Sequence, residues 1–538
     1  MTRTFLLAAT ALLAASAHGQ PAARVGEPFT RSFKNAQGDQ HAVVDGVLPA
    51  DGRALLYVEE GPAHKVVRLD AQLKPAEEVV LKDVLLDGVK WNGVMPVLRG
   101  GTMDVLLVSP GKKGADLGMA TVGGSPLALS GFRRLTSFGH AWAVDPASSL
   151  ARRPLPDPIL FSLGLTSAHT ERLLTAPDGS RHLLNMYDSK GKDGKQLWMT
   201  CLDRDLREEW SALATLPWPA GQARIHQMQL TNDGRVLLLA YVFRCEQEQM
   251  GDKNCHELHF TTISDQGRTV KDVLVDKDFV STARFCERPD GRISLALRYG
   301  ALTGIPGQVV TFDPQDPKLK PTPLVDQRLA GVRRVKLTGF GSVDGDPNKP
   351  ASVRAKLPDE VVTLLPGWDG GTVLIEAFVD NEFQLPVGEA IAMRHFCGML
   401  RASYLDATDT VRWQRTIDRA YLTTAGQAYE TAGLLLDADG LTLLFGHTPK
   451  GLAGILSSGG AGDGSSPLPE PGVLKAVRID RAGQVLRQGT AWMPEGGLAA
   501  CPMTAVFGAG GTQALLKAYD RGTTYRYVLV DLERVGAE

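Results

Sequence analysis

The sequence predicts an all-β fold: a single eight-bladed propeller of four-stranded antiparallel blades over residues 20–538. Three observations carry that expectation. A short turn, Asp-Gly or Gly-Gly, recurs eight times between apolar segments. In seven of the eight units an aspartate closes a later strand, always in the same phase after the turn. Segments with apolar residues at helical spacing are scarce throughout.

The turns are Asp51-Gly52, Gly100-Gly101, Asp178-Gly179, Asp233-Gly234, Asp290-Gly291, Asp369-Gly370, Asp439-Gly440 and Gly510-Gly511. These dipeptides tolerate positive φ, which a two-residue hairpin turn demands. Alternating apolar residues flank them, as in "HQMQLTNDGRVLLLAYV", so each is read as a two-residue hairpin joining a first and a second strand. The later aspartates are Asp70, Asp203, Asp265, Asp313, Asp406, Asp480 and Asp531; the second unit has "LGMATVGGSPLALSGF" instead. Aspartate bonds local backbone amides readily, so each is assigned to a bend between third and fourth strands. Strand, tight turn, strand, variable loop, strand, bend, strand is one propeller blade. Two or three sandwiches would not hold turn and bend in phase along the whole chain.

Residues 331–358 break the period and read as an insertion between blades five and six, and 457–472 read as a flexible loop. The last unit offers only three strands before Glu538, which would leave an open edge. The segment Phe29 to Phe33 ("FTRSF") is expected to supply the missing outer strand.

At these repeats the chain resembles the loose group of bacterial propeller repeats, and more closely an uncharacterised family of exported proteins common in Bacteroidota. The matching text is "TAPDGSRHLLNMY", "MTCLDRDLREEW" and "TNDGRVLLLAYV". The resemblance implies a propeller and export, and it brings no activity and no catalytic residues.

The N-terminus reads as a secretory signal peptide over residues 1–19. Arg3 precedes an apolar run from Phe5 to Ala15, and Ala15-Ser16-Ala17 or Ala17-His18-Gly19 supplies the cleavage site. That run is too short to span a bilayer, and later apolar runs are broken, so no transmembrane anchor is expected. A periplasmic, secreted or cell-surface protein follows. The net charge of −2, with acids and bases interspersed, argues against a nucleic-acid partner.

Candidate chemistry is sparse. Trp210 and Trp413 each fall seven residues after a bend aspartate, a spacing similar to the blade-docking tryptophans of quinoprotein propellers. Only two units have it and no adjacent cysteine pair accompanies it, so packing is expected and no cofactor. Cys255, Glu257 and His259 share one strand face and His256 takes the other; without a second cluster, no metal site is assigned. Cys245 and Cys255 flank one hairpin loop and are expected to form a disulfide in an oxidising compartment. Cys201, Cys286, Cys397 and Cys501 read as buried thiols. His140, His226 and His395 are lone histidines, and no nucleophile elbow, zinc-protease, phosphate-loop or dinucleotide motif occurs.

With catalytic residues unidentified, the leading expectation is a non-enzymatic binding or scaffold propeller of the cell envelope. Its protein or glycan ligand would sit on the face that carries the variable loops between second and third strands. The alternative is a glycan- or peptide-active envelope enzyme with a site at the channel mouth, built from residues scattered over several blades.

Overall fold

A computed structural model describes residues 23–30, 41–49, 53–60, 63–99, 101–110, 115–138, 173–187, 196–218, 223–243, 256–278, 280–299, 305–337, 359–383, 393–423, 432–447, 472–494, 498–519 and 524–536. Its strands form eight antiparallel sheets, each a blade whose strands pair in chain order. Blade 1 is His41–Val47, Leu55–Glu60, Ala63–Leu69 and Pro75–Val80; blade 2 is Val89–Arg99, Thr102–Pro110, Ala115–Gly123 and Ala128–Phe138. Blade 3 is Leu173–Thr175, Arg181–Tyr187, Gln196–Asp203 and Glu208–Thr215; blade 4 is Ala223–Leu230, Val236–Phe243, His256–Ser264 and Thr269–Asp276. Blade 5 is Val280–Glu287, Ile293–Tyr299, Gln308–Phe312 and Arg333–Lys336; blade 6 is Asp359–Pro366, Thr372–Phe383, Met393–Leu405 and Val411–Ile417. Blade 7 is Gly433–Leu436, Gly440–His447, Val473–Asp480 and Val485–Trp492; blade 8 is Ala499–Phe507, Gln513–Tyr519 and Thr524–Asp531, completed from the N-terminus.

The core is divided among the blade interfaces. Among the described residues eight apolar clusters occur, one at each junction of consecutive blades, including that between blades 8 and 1. Blade 8 gives Val506, Leu515 and Tyr527 to the last of these and blade 1 gives Leu56, Val67 and Leu73, so the ring is closed. Second strands are covered on both sides. Val236–Phe243, Ile293–Tyr299 and Gly440–His447 are buried at every position, which is why they read as continuous apolar runs. Fourth strands form the rim, and Val485 and Leu486 stand exposed there.

Closure uses the N-terminal segment, beginning further upstream than expected. Ala23–Val25 pairs with the third strand of blade 8, Ala23 opposite Val530, and Phe29–Thr30 pairs with the same strand, Phe29 opposite Tyr525. Arg31 to Phe33 lie outside the described residues. "ARV" is too short to carry an alternation, so only the larger "FTRSF" stood out in the sequence.

The turns are less uniform than two residues each. The amide of Thr231 donates to Arg235 O and that of Arg288 to Arg292 O, so three-residue loops carry Gly234 (φ +85°) and Gly291 (φ +78°) at the left-handed position. Ala176 reaches Arg181 across four residues. At Asp369-Gly370 both residues have positive φ, the geometry read from sequence. Gly440 is not a turn residue: Asp437 N donates to Gly440 O around Ala438-Asp439, and the glycine begins the second strand. Nor does the insertion begin at 331, because Arg333–Lys336 is the outer strand of blade 5, pairing with Gln308–Phe312. Residues 338–358 lie outside the described residues.

Four of the seven bend aspartates do what their position implied, whereas Asp265 accepts the Thr269 hydroxyl and Asp313 opens the long connection 313–332. In blade 7, Asp480 Oδ1 accepts the amide of Gln484 at 2.7 Å, and the amide of Gly483 donates to Asp480 O. Asp70, Asp203 and Asp406 build the same five-residue bend, with Leu73, Leu206 and Asp409 in the left-handed conformation that Gly483 takes in blade 7. The fourth bend position presses on the preceding blade. Leu206 packs in the blade 2–3 core, and Gly483 lies against Trp413 of blade 6, whose Nε1 donates to Arg481 O at 2.9 Å. Trp413 is thus a blade-docking residue. A Cβ at Gly483 would sit 2.4 Å from Trp413 Cγ, and φ is +81°. Gly483→Ala is expected to cost about 3 kcal/mol, from left-handed strain plus overpacking. A urea midpoint unchanged by this substitution would contradict the docking.

Candidate functional site: the long-loop end of the ring

Antiparallel pairing in chain order fixes the two ends of the ring. Turns between first and second strands and bends between third and fourth lie at one end; loops between second and third strands, and the links between blades, lie at the other.

The turn end is laced across its blade junctions. Arg181 Nη1 of blade 3 donates to Asn232 O of blade 4 at 2.5 Å, and Arg235 of blade 4 pairs with Glu287 of blade 5 at 2.5 Å. Arg288 of blade 5 pairs with Asp409 of blade 6, both buried, and Arg481 of blade 7 pairs with Asp369 of blade 6. Trp368 Nε1 of blade 6 donates to Asp437 O of blade 7 at 2.8 Å. Each junction from blade 3 to blade 7 is therefore pinned by side chains that reach across it.

Towards the opposite end lie buried titratable side chains, at the ends of second and fourth strands and the starts of third strands, with Glu376 and Arg401 of blade 6 in mid-strand. His64 of blade 1 sits 2.7 Å from the Tyr57 hydroxyl, and burial pushes its pKa down to about 4. Burial does the same to His256 of blade 4, also to about 4. Tyr241 beside it is fully buried, and burial raises its phenol. At the blade 4–5 junction the Tyr299 hydroxyl donates to Asp276 Oδ2 at 2.5 Å. Burial raises the Asp276 carboxyl above its ordinary range, against the opposing hydrogen bonds from the Asp278 amide and Tyr299. Between blades 5 and 6, Glu376 accepts Arg298 Nε and Arg401 Nε, each at 2.8 Å, with all three side chains buried. His447 of blade 7 lies 3.3 Å from the Ala420 amide, its pKa lowered by burial and by Lys475. Perturbed, desolvated groups of this kind gather where function is built. The sequence did contain a signal for some of them, a charge inside an otherwise apolar second strand, as in "ISLALRYG" and "TVLIEAF".

The candidate residues distribute as follows. Glu257 and His259 share a face as expected: His259 Nε2 lies 3.1 Å from Glu257 Oε2, and Nδ1 lies 2.7 Å from Asp272 Oδ2. His256 packs on the other side, against the rings of Tyr241 and Phe243. Among the described residues no group of three or more His, Cys, Asp or Glu side chains is placed to hold a metal ion. His226 Nε2 lies 2.8 Å from Ala283 O of blade 5, with the Arg284 guanidinium on the same nitrogen. Cys201, Cys286 and Cys501 are buried free thiols, and burial pushes the first two up to about 12. Cys245, Cys255, His140 and the leader segment lie outside the described residues, as do the side chains of His395 and Cys397. No helix among the described residues is long and apolar enough to cross a membrane.

The two most strongly depressed histidines, His64 and His256, set a pH dependence. Unfolded, each takes a proton near 6.5; folded, each resists until about pH 4. Their contribution to stability is complete above pH 6.5 and is lost as pH falls towards 4, by at most about 3 kcal/mol for each. Asp276, raised in the fold, runs the opposite way and offsets part of the loss. Urea midpoints measured from pH 7.5 to 4.5 should fall, and His64→Gln with His256→Gln should flatten the slope. An unchanged slope in the double variant would refute the assignment.

No protein-family model matches the chain, and no curated protein matches it. Among solved structures it is similar to prolyl oligopeptidase B from Galerina marginata (TM-score 0.40, 10% identity), matching over 88% of this chain and 54% of that one. The chain therefore spans about half the length of that enzyme. It is also similar to the polysaccharide lyase Uly1 (TM-score 0.35, 10% identity, 95% of this chain and 100% of that one). A third is a member of the duf4221 family from Bacteroides vulgatus (TM-score 0.30, 8% identity, 68% and 90%). At such scores nothing about activity or partners passes to this chain, and the eight-bladed assignment rests on its own strand pairing and interblade cores.

Proposed function

We propose that this protein is an exported, non-enzymatic binding propeller of the cell envelope that receives its ligand on the long-loop end of the ring. The carrying observation is the contrast between the two ends. At the turn end, arginine and tryptophan side chains satisfy their neighbours across each junction from blade 3 to blade 7. Towards the long-loop end, buried His, Tyr and Asp groups lie at or near the ends of strands, the same end from which long connections such as 448–471 and 244–255 depart. One turn-end connection is also long, residues 313–332 of blade 5, but it is anchored by Arg334 donating to Leu324 O at 2.8 Å. Loops over a rigid frame accept change without harm to the core, which is where repeat proteins gain partners. Export is supported by the leader-like N-terminus, whose cleavage after residue 17 or 19 would leave the closing strand at Ala23–Val25 intact.

The experiment replaces 448–471 by a tight turn in a tagged protein and compares envelope capture with that by an Asp290→Ala variant of the turn end. Loss of the captured partner with the loop, and its retention with Asp290→Ala, is the expected pattern. The reverse pattern would place binding on the wrong face.

A further inference from the structure

Trp210 and Trp413 hold the same place in blades 3 and 6, yet their surroundings differ. Trp413 is buried beneath Gly483 and its indole N–H is spent on Arg481 O. The bend facing Trp210 has another form. Asp265, Gln266 and Gly267 are all left-handed, and the amide of Gly267 donates to Ser264 O. This tighter bend seats Gly267 over Ala212, where a Cβ would approach to 2.4 Å, and leaves Trp210 only partly covered. Among the described residues Trp210 Nε1 makes no hydrogen bond.

The partly covered indole lies between two clefts at the blade 3–4 junction. One, of about 710 Å³, opens at the turn end beside Arg181, Glu209 and Asp233; the other, of about 620 Å³, continues along the rim beside Ser211 and Arg268. Trp210 and Gln266 border both. The charges at the inner end are already matched, Arg181 Nε to Glu209 Oε2 at 2.8 Å and Arg235 Nε to Asp233 Oδ2 at 2.8 Å. Uncommitted groups remain around the indole: among the described residues the second Glu209 oxygen accepts nothing, and the Gln266 and Arg268 side chains make no hydrogen bond.

We propose that this groove is a binding site for a neutral pyranose unit of a glycan, separate from the long-loop end. A sugar ring presents C–H groups on its face, which pack on an indole, and hydroxyls around its edge, which donate and accept at once. The groove supplies the complement: an aromatic surface, the donors Trp210 Nε1 and Arg268, the acceptor Glu209 Oε1, and the amide of Gln266, which does both. A purely apolar ligand would leave these groups desolvated and unpaired. An anion would meet the Glu209 and Asp233 carboxylates.

The test is calorimetric titration of the full chain with cellotetraose, xylotetraose, mannotetraose and trigalacturonic acid. At least one neutral oligosaccharide should bind with Kd of about 1 mM or tighter. Trp210→Ala should weaken that binding at least tenfold. Trp210→Phe and Arg268→Ala, whose unfolding midpoints should match the parent, should each weaken it about threefold. The proposal is overturned if no neutral oligosaccharide binds, if trigalacturonic acid alone binds, or if binding is indifferent to Trp210→Phe and Arg268→Ala. None of these outcomes depends on where the long-loop ligand sits.

Discussion

Glu376→Gln should destabilise the protein by about 4 kcal/mol, because it strips a carboxylate from between two buried guanidinium groups. Glu376 is fully buried, and Arg298 and Arg401 reach it from neighbouring blades and strands. Arg298 is held in place by Gly307, where a Cβ would approach its Cδ to 2.6 Å. Neither cation can swing out to water without breaking the blade 5–6 junction. The same physics gives the opposite sign when all three are replaced together. Arg298→Met, Glu376→Leu and Arg401→Met remove these three charges together and should restore stability to within about 1 kcal/mol of the parent, or exceed it. Urea unfolding of the two proteins checks both halves. A mild loss in Glu376→Gln would mean that water already reaches the cluster.

Deleting the chain through Thr30 should cost roughly 3 kcal/mol or more and bring on aggregation. The deletion removes the outer strand of blade 8 and exposes the edge of Thr524–Asp531. It also unfastens blade 8 from blade 1. Glu27 N donates to Gln72 O in the first bend, and Gly26 fits against Leu73, where a Cβ would come within 2.6 Å. A synthetic peptide of residues 21–32, added in trans at about 1 mM, should recover part of the lost unfolding midpoint by binding the folded edge alone. A truncated protein as stable as the parent, or one deaf to the peptide, would contradict closure by this strand.

What was legible in the sequence follows from the range of the forces involved. Asp203, Asp406 and Asp480 bond amides within four residues of themselves, so their role could be read from local text. Eight Asp-Gly or Gly-Gly turns between apolar segments, kept in phase with the later aspartates, declared a ring of eight units. Turn length was not legible. Asp233-Gly234 and Asp369-Gly370 are the same dipeptide, yet the first serves a right-handed turn closed by a left-handed glycine and the second is left-handed at both residues. Their neighbours, Thr231 bonding Arg235 and Gly371 pressed under Leu405 O, decide between them. Less legible still were contacts between blades. Arg298 and Glu376 lie 78 residues apart, and no spacing rule joins them. Trp210 and Trp413 looked equivalent because the bend that covers or uncovers each belongs to the next blade.

The central claim, that the long-loop end receives the ligand, is tested most directly by site-specific photo-crosslinking in the native envelope. A photoreactive phenylalanine is placed at Ser458 in the longest such loop, and separately at Lys74 and Asp290 on the turn end. The account predicts a discrete adduct from Ser458 and none from Lys74 or Asp290. Adducts from the turn-end positions with none from Ser458 would contradict it.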